Sequence, residues 1–147
     1  MSRLPALTLM VVLLAGLAAC GEQLTLEQQI IATIREMEAR IEAGERRPFM
    51  AHVSEDFSGQ NGSMNREQLR ALMIMQLNRY QRLQGQLFPF AVIDLGEGGA
   101  SAHVRALVTG GPNWIPENGQ LFDFDTYWRR VDGDWLLHAA NWEPVPL

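Results

Sequence analysis

Tyr127-Trp128-Arg129-Arg130-Val131-Asp132-Gly133-Asp134-Trp135-Leu136-Leu137 is the stretch that decides the fold. Asp-Gly between two runs rich in aromatic and branched residues marks a two-residue hairpin, because both central residues of such a turn must tolerate positive φ. The flanking runs extend the hairpin over Gln120 to Val131 and Trp135 to Trp142. With Asp132-Gly133 as the loop, Arg130 lies opposite Trp135, Trp128 opposite Leu137, Thr126 opposite Ala139 and Phe124 opposite Asn141. Parity then separates two faces. One carries Phe122, Phe124, Thr126, Trp128, Arg130, Trp135, Leu137, Ala139 and Asn141; the other carries Asp123, Asp125, Tyr127, Arg129, Leu136, His138, Ala140 and Trp142. The first is the more apolar and is expected to form the concave, helix-covered side.

Outward from the hairpin, the period-two pattern continues upstream as Leu87 to Leu95 and Ala100 to Thr109, joined by Gly96-Glu97-Gly98-Gly99. Before Gln86 the period changes to that of helices. Leu26, Ile30, Ile34, Met37 and Ile41 form one helical stripe over Leu24 to Ala43, with Thr25 and Gln28 as a capping box and Gly44 as the exit. Arg47 to Val53 reads as a short second helix with Pro48 in its first turn, Ser58 to Ser63 as a turn cluster, and Asn65 with Gln68 as the cap of a third helix reaching about Leu83.

At the other end, Met1-Ser2-Arg3 is a short cationic start, Leu4 to Leu17 is almost entirely apolar, and Leu17-Ala18-Ala19-Cys20 places small residues before a cysteine. This resembles a bacterial lipoprotein signal peptide, whose apolar core is shorter than the ~20 residues needed to cross a bilayer. The resemblance implies cleavage before Cys20, acylation of its sulfur and new amino group, and a domain held on a membrane by lipid. The expected organisation is a signal peptide over 1–19, a lipidated linker over 20–23 and one domain over 24–147. Gly21 after Cys20 resembles the sorting pattern of outer-membrane lipoproteins, so a periplasm-facing location on the outer membrane is expected.

Composition bounds the partners. The chain has 147 residues, 12 basic against 17 acidic side chains and a formal net charge of −5, and every basic residue is arginine. Arg35, Arg40, Arg46 and Arg47 are interspersed with Glu36, Glu38, Glu42 and Glu45, so no cationic face for nucleic acid is expected. A single cysteine removes a disulfide framework, a zinc cluster and a redox pair. His52, His103 and His138 show no metal-ligand spacing, no serine sits in a nucleophile elbow, and neither a metal nor a cofactor is expected.

Helix, short helix, turn-rich loop, helix and antiparallel sheet, ending in the hairpin quoted above, resemble the nuclear transport factor 2-like superfamily, with its SnoaL-like and ketosteroid isomerase-like members. Ala51-His52-Val53-Ser54-Glu55-Asp56-Phe57 is similar to the point where such chains leave a short helix. The resemblance spans Leu24 to Trp142. It implies an α+β cone in which a curved antiparallel sheet wraps around three N-terminal helices and leaves a pocket at the open end. It does not imply one activity, since the fold serves isomerases, cyclases, dehydratases, transport adaptors and non-enzymatic binding domains alike. The isomerase set of an Asp base with Tyr and a protonated acid does not map here: the first helix has no Tyr, and Tyr80 and Tyr127 are the two tyrosines.

Two residue sets stand out. Asp125, Tyr127 and His138 fall on one face of the hairpin, with Tyr127 beside His138 and Asp125 diagonal to it; an Asp that orients a His is the beginning of an acid/base site, although this is the more polar face. Tyr80, Phe88, Phe90, Thr126, Trp128 and Asn141 would line a cone pocket, with Trp114 in the long loop from Gly110 to Gly119 as its lip. The expected function is a membrane-anchored domain that binds a small apolar or amphipathic ligand, or an envelope protein, without chemistry. An isomerase or dehydratase using Asp125, Tyr127 and His138, and a structural homodimer module, are the alternatives.

Overall fold

The computed structural model describes residues 21–80, 82–111 and 118–146. Cys20 and the signal segment, and Trp114, lie outside the described residues. Three helices, α1 (Leu26–Glu42), α2 (Arg46–Met50) and α3 (Arg66–Arg79), precede most of a seven-stranded sheet. The strands are β1 (Val53–Gly59), β2 (Met64–Asn65), β3 (Arg82–Leu87), β4 (Ala91–Gly96), β5 (Gly99–Gly111), β6 (Asn118–Val131) and β7 (Asp134–Val145), with a 3-10 turn at Gln60–Gly62. Their order is β2-β1-β7-β6-β5-β3, with β4 also on β5.

Both long helices start as their sequences dictate. Thr25 and Gln28 exchange hydrogen bonds, as do Asn65 and Gln68, so each pair satisfies two backbone groups that a helix start leaves open. The α1 stripe buries Ile30 and Met37 against Ala100, Ala102, Trp128, Trp135 and Leu137, and this contact between helix and sheet is the core. At the hairpin tip Gln29 Oε1 accepts from Trp135 Nε1 at 2.9 Å and from the Arg130 guanidinium, which stacks 4.9 Å over the Trp135 ring. The Arg-Arg-x-Asp-Gly-x-Trp segment thus fastens the hairpin to α1.

Four elements differ from the sequence reading. The second helix stops at Met50, and Val53 begins β1, which pairs parallel with β7 in an otherwise antiparallel sheet. Helix α3 ends at Arg79 rather than near Leu83: Tyr80 is extended, and its ring lies over Gly110, where an added Cβ would come within 2.8 Å of the ring. Of the expected strand Leu87 to Leu95, Leu87 is the last residue of β3 and Ala91 to Leu95 lie in β4, the two parted around Pro89, which lacks an N–H to continue a ladder; both strands pair with β5 in succession.

The fourth difference decides the site. Trp128 faces Leu137 as expected, but Tyr127 faces Ala139, Thr126 faces Ala140, Asp125 faces Asn141 and Phe124 faces Trp142. His138 is the extra residue of a β-bulge, and every residue of β7 beyond it changes face. Ala140 is therefore buried, and Trp142 packs against the core from the concave side.

Candidate functional site on the concave face

The concave face is built from alternate residues of β5, β6 and β7. Near the hairpin tip it is filled: Trp128, Trp135, Ala100 and Ala102 are buried under α1. The polar atoms of this floor are already used. Thr126 Oγ1 donates to the Ala102 carbonyl at 2.7 Å and accepts from Trp128 Nε1 at 2.9 Å. Away from the tip the face becomes aromatic and half-buried. Phe122 and Phe124 have ring centroids 6.0 Å apart, and Phe124 and Trp142 6.3 Å apart. The bulge brings Trp142 into this row.

At the β3 side two glycines leave the same face bare. Gly110 receives Tyr80, as described above, and Gly85 pairs with Val108 on the concave face. Over Gly85 sit two carboxylates from α1. Glu38 Oε1 lies 3.4 Å from where a Gly85 Cβ would be, and Glu42 Oε1 accepts the Gly85 N–H at 3.2 Å. Burial, then the charge of Glu42, push the Glu38 carboxyl above its ordinary value, while Arg35 works in the opposite direction.

The convex face holds the titratable cluster that the sequence singled out, in different pairs. Asp125 meets His103 Nδ1 at 2.8 Å, Asp123 accepts both guanidinium branches of Arg105 at 2.7 and 2.8 Å, and His138 Nδ1 lies 3.3 Å from Asp56. Tyr127 is 42% exposed and has Ala139 rather than His138 across the ladder. Asp125, Tyr127 and His138 therefore do not converge, because the bulge moves His138 out of their register. Asp56 also accepts from the Ser54 hydroxyl, which with His138 and Arg129 holds its carboxyl below the usual range. The order of contacts is serine, carboxylate, histidine. A carboxylate between the two gives the serine no base, so this is not a nucleophilic triad.

Of the sequence-named lining residues, Thr126 and Trp128 are in the floor and Tyr80 is at the rim over Gly110. Phe90 lies under the Arg35 guanidinium, 5.4 Å from its ring centre. Phe88 is 39% exposed and pairs through its N–H with Arg105, on the convex side of the sheet. Asn141 is also displaced by the bulge: its Oδ1 accepts from the Asn61 N–H at 2.7 Å. Gln60 beside it bonds both the N–H and the carbonyl of Trp142, so this turn anchors the aromatic row.

No protein-family model matches the chain, and no curated protein sequence does. Solved structures do match. A protein from Novosphingobium aromaticivorans named a candidate scytalone dehydratase superposes with a TM-score of 0.70 at 10% identity, over 82% of this chain and 84% of that one. An NTF2-like protein of unknown function in nutrient uptake from Rhodospirillum rubrum superposes at 0.64 with 20% identity, over 80% and 98%. An NTF2-like protein from Cytophaga hutchinsonii gives 0.67 at 13% identity, over 83% and 100%. The chain has the nuclear transport factor 2-like fold.

A nuclear transport factor 2-like fold is consistent with a binding domain and with an isomerase- or dehydratase-like one, and identities this low carry the fold and nothing finer. Sequence reasoning missed Glu38 and Glu42 on that face. Their signal was present: two carboxylates four apart repel on a helix surface, Arg35 three residues before Glu38 offsets only part of that, and Glu42 takes the Gly85 N–H as a partner. Among the described residues no helix is long and apolar enough to cross a membrane, and no group of three metal-ligating side chains gathers.

Proposed function

We propose that this protein is an envelope lipoprotein, anchored through Cys20 to the outer membrane and facing the periplasm, whose domain binds a small apolar ligand on its concave face without chemistry. The observation that carries the binding reading is the row Phe122, Phe124 and Trp142, half-buried beside a floor whose polar atoms are all satisfied. Such a surface gains by covering apolar area and offers a ligand few hydrogen bonds. The convex face, with Ile93, Leu95 and Tyr127 exposed, is the side available to a second copy or an envelope protein. Titration with a neutral probe such as 2-naphthol, followed by tryptophan fluorescence, tests the reading: Phe124→Ala should weaken binding, and unchanged binding in both Phe124→Ala and Trp142→Ala overturns it.

One observation favours a second reading, an isomerase or dehydratase. Glu38 is a carboxyl on the concave side whose proton affinity is raised by burial, as a general acid or base requires. Enone absorbance appearing from a β,γ-unsaturated ketone, and lost in Glu38→Gln, would put this reading first.

A further inference from the structure

On the helical side of the molecule, the turn from Gly44 to Pro48 and the C-terminal half of α3 leave a groove of about 420 Å3. Its lining includes Glu45, Arg46, Arg47, Pro48, Ile74 and Leu77. The volume is that of an ordinary small-molecule site, which spans roughly 300 to 1,000 Å3.

The other arginines among the described residues are spoken for. Arg40 pairs with Glu36 and Glu45, Arg70 with Glu67, Arg105 with Asp123 and Arg129 with Asp56. Arg66 donates to the Met50 and Val53 carbonyls, Arg130 to Gln29, and Arg35 and Arg79 lie over Phe90 and Tyr80. Arg82 is also engaged. Among the described residues only Arg46 and Arg47 have no side-chain partner, in a protein whose formal net charge is −5. Both line the groove. The one carboxylate beside them, Glu45, is held by Arg40 at 3.0 Å and does not neutralise them. Pro48, Ile74 and Leu77 add an apolar wall to the same groove.

Two free guanidinium groups beside an apolar wall match a ligand with an anionic head and a hydrocarbon tail. Guanidinium forks fit carboxylate and phosphate oxygens, and the wall gains from covering CH2 groups. We propose that this groove binds a single-chain amphipathic anion, its head on Arg46 and Arg47 and its tail along Pro48, Ile74 and Leu77. The site is separate from the concave face and does not depend on what that face binds.

Sodium dodecanoate below its micelle concentration is the probe, with the methyl resonances of Ile74 and Leu77 as the local readout. Saturable shifts of these methyls are expected, with binding at least about tenfold weaker in the Arg46→Gln/Arg47→Gln double variant, since a hydrogen bond to a charged group is worth about 1.5 kcal/mol or more. Dodecanol at the same concentration should leave the methyls unmoved. Phosphatidylglycerol vesicles in a second arm test a lipid surface instead: dodecanoate binding without vesicle binding supports the free amphiphile, and vesicle binding lost in the double variant without saturable dodecanoate binding overturns it. The proposal is overturned if the double variant binds dodecanoate as the native protein does, if dodecanol saturates the same methyls equally well, or if the shifts fall on Phe124 and Trp142 instead.

Discussion

Deleting His138 and replacing it are two tests of one residue. His138 is the extra residue between Leu137, which faces Trp128, and Ala139, which faces Tyr127, and its imidazole makes one 3.3 Å contact with Asp56, whose side chain is 63% exposed. His138→Ala keeps the residue count and should cost less than about 1 kcal/mol, the ceiling for a solvent-exposed polar contact. Deletion closes the bulge instead: Leu137 and Ala139 become neighbours, the pairs Tyr127–Ala139, Thr126–Ala140 and Phe124–Trp142 are kept, and Ala140 and Trp142 still face inward. The deletion should therefore cost less than truncating the half-buried Trp142, for which Trp142→Ala sets a scale of roughly half the ~3–5 kcal/mol of a fully buried large aromatic. Urea unfolding of the three variants, read by tryptophan fluorescence, compares them. A deletion as costly as Trp142→Ala would refute the reading of His138 as a spare residue of the ladder.

Trp128→Ala and Trp135→Ala should each cost about 3–5 kcal/mol in chemical denaturation, whereas Arg129→Ala, whose side chain is 57% exposed, should change stability by less than ~1 kcal/mol. Cys20→Ser should abolish incorporation of labelled palmitate and leave uncut precursor or a soluble form; an unchanged mass and membrane fraction would contradict lipidation. Glu38 titrates above its ordinary value in the folded state, so the folded protein binds that proton more tightly and the ionised carboxylate opposes folding at neutral pH. Glu38→Gln should therefore stabilise at pH 7, with the difference fading as pH falls through the raised value towards the ordinary carboxylate range. Asp56 and Asp123 shift the other way, and their stabilising effect is lost as pH drops through their lowered values.

What the sequence made legible was local. The capping pairs Thr25 with Gln28 and Asn65 with Gln68, and the turns at Glu97-Gly98 and Asp132-Gly133, where positive φ occurs as such turns require, all specify themselves within four residues. Trp128 and Thr126 were placed on the concave side by parity because the extra residue lies on β7, and β6 itself alternates without a break. Strand β1 was not legible: Val53 and Phe57 are four apart, a helical spacing, and its partner β7 lies some 80 residues away. Nor was the bulge, since nothing in Leu137-His138-Ala139 distinguishes an extra residue from a paired one. That single residue also separated Asp125 and Tyr127 from His138. The Glu38 and Glu42 pair was visible but was absorbed into a general pattern of mixed charge.

The Glu42 contact has a further consequence. Strand β3 closes one side of the sheet, and its register with β5 turns the Gly85 N–H outward, to where a foreign strand would otherwise attach. A helix carboxylate occupies that donor, and the opposite border ends in β2, only two residues long. Exposed strand borders are templates for edge-to-edge aggregation, and a carboxylate on the donor with a stub at the far side leaves β4, which pairs only with β5, as the open border. Loss of the Glu42 side chain should therefore be felt first as aggregation rather than as unfolding.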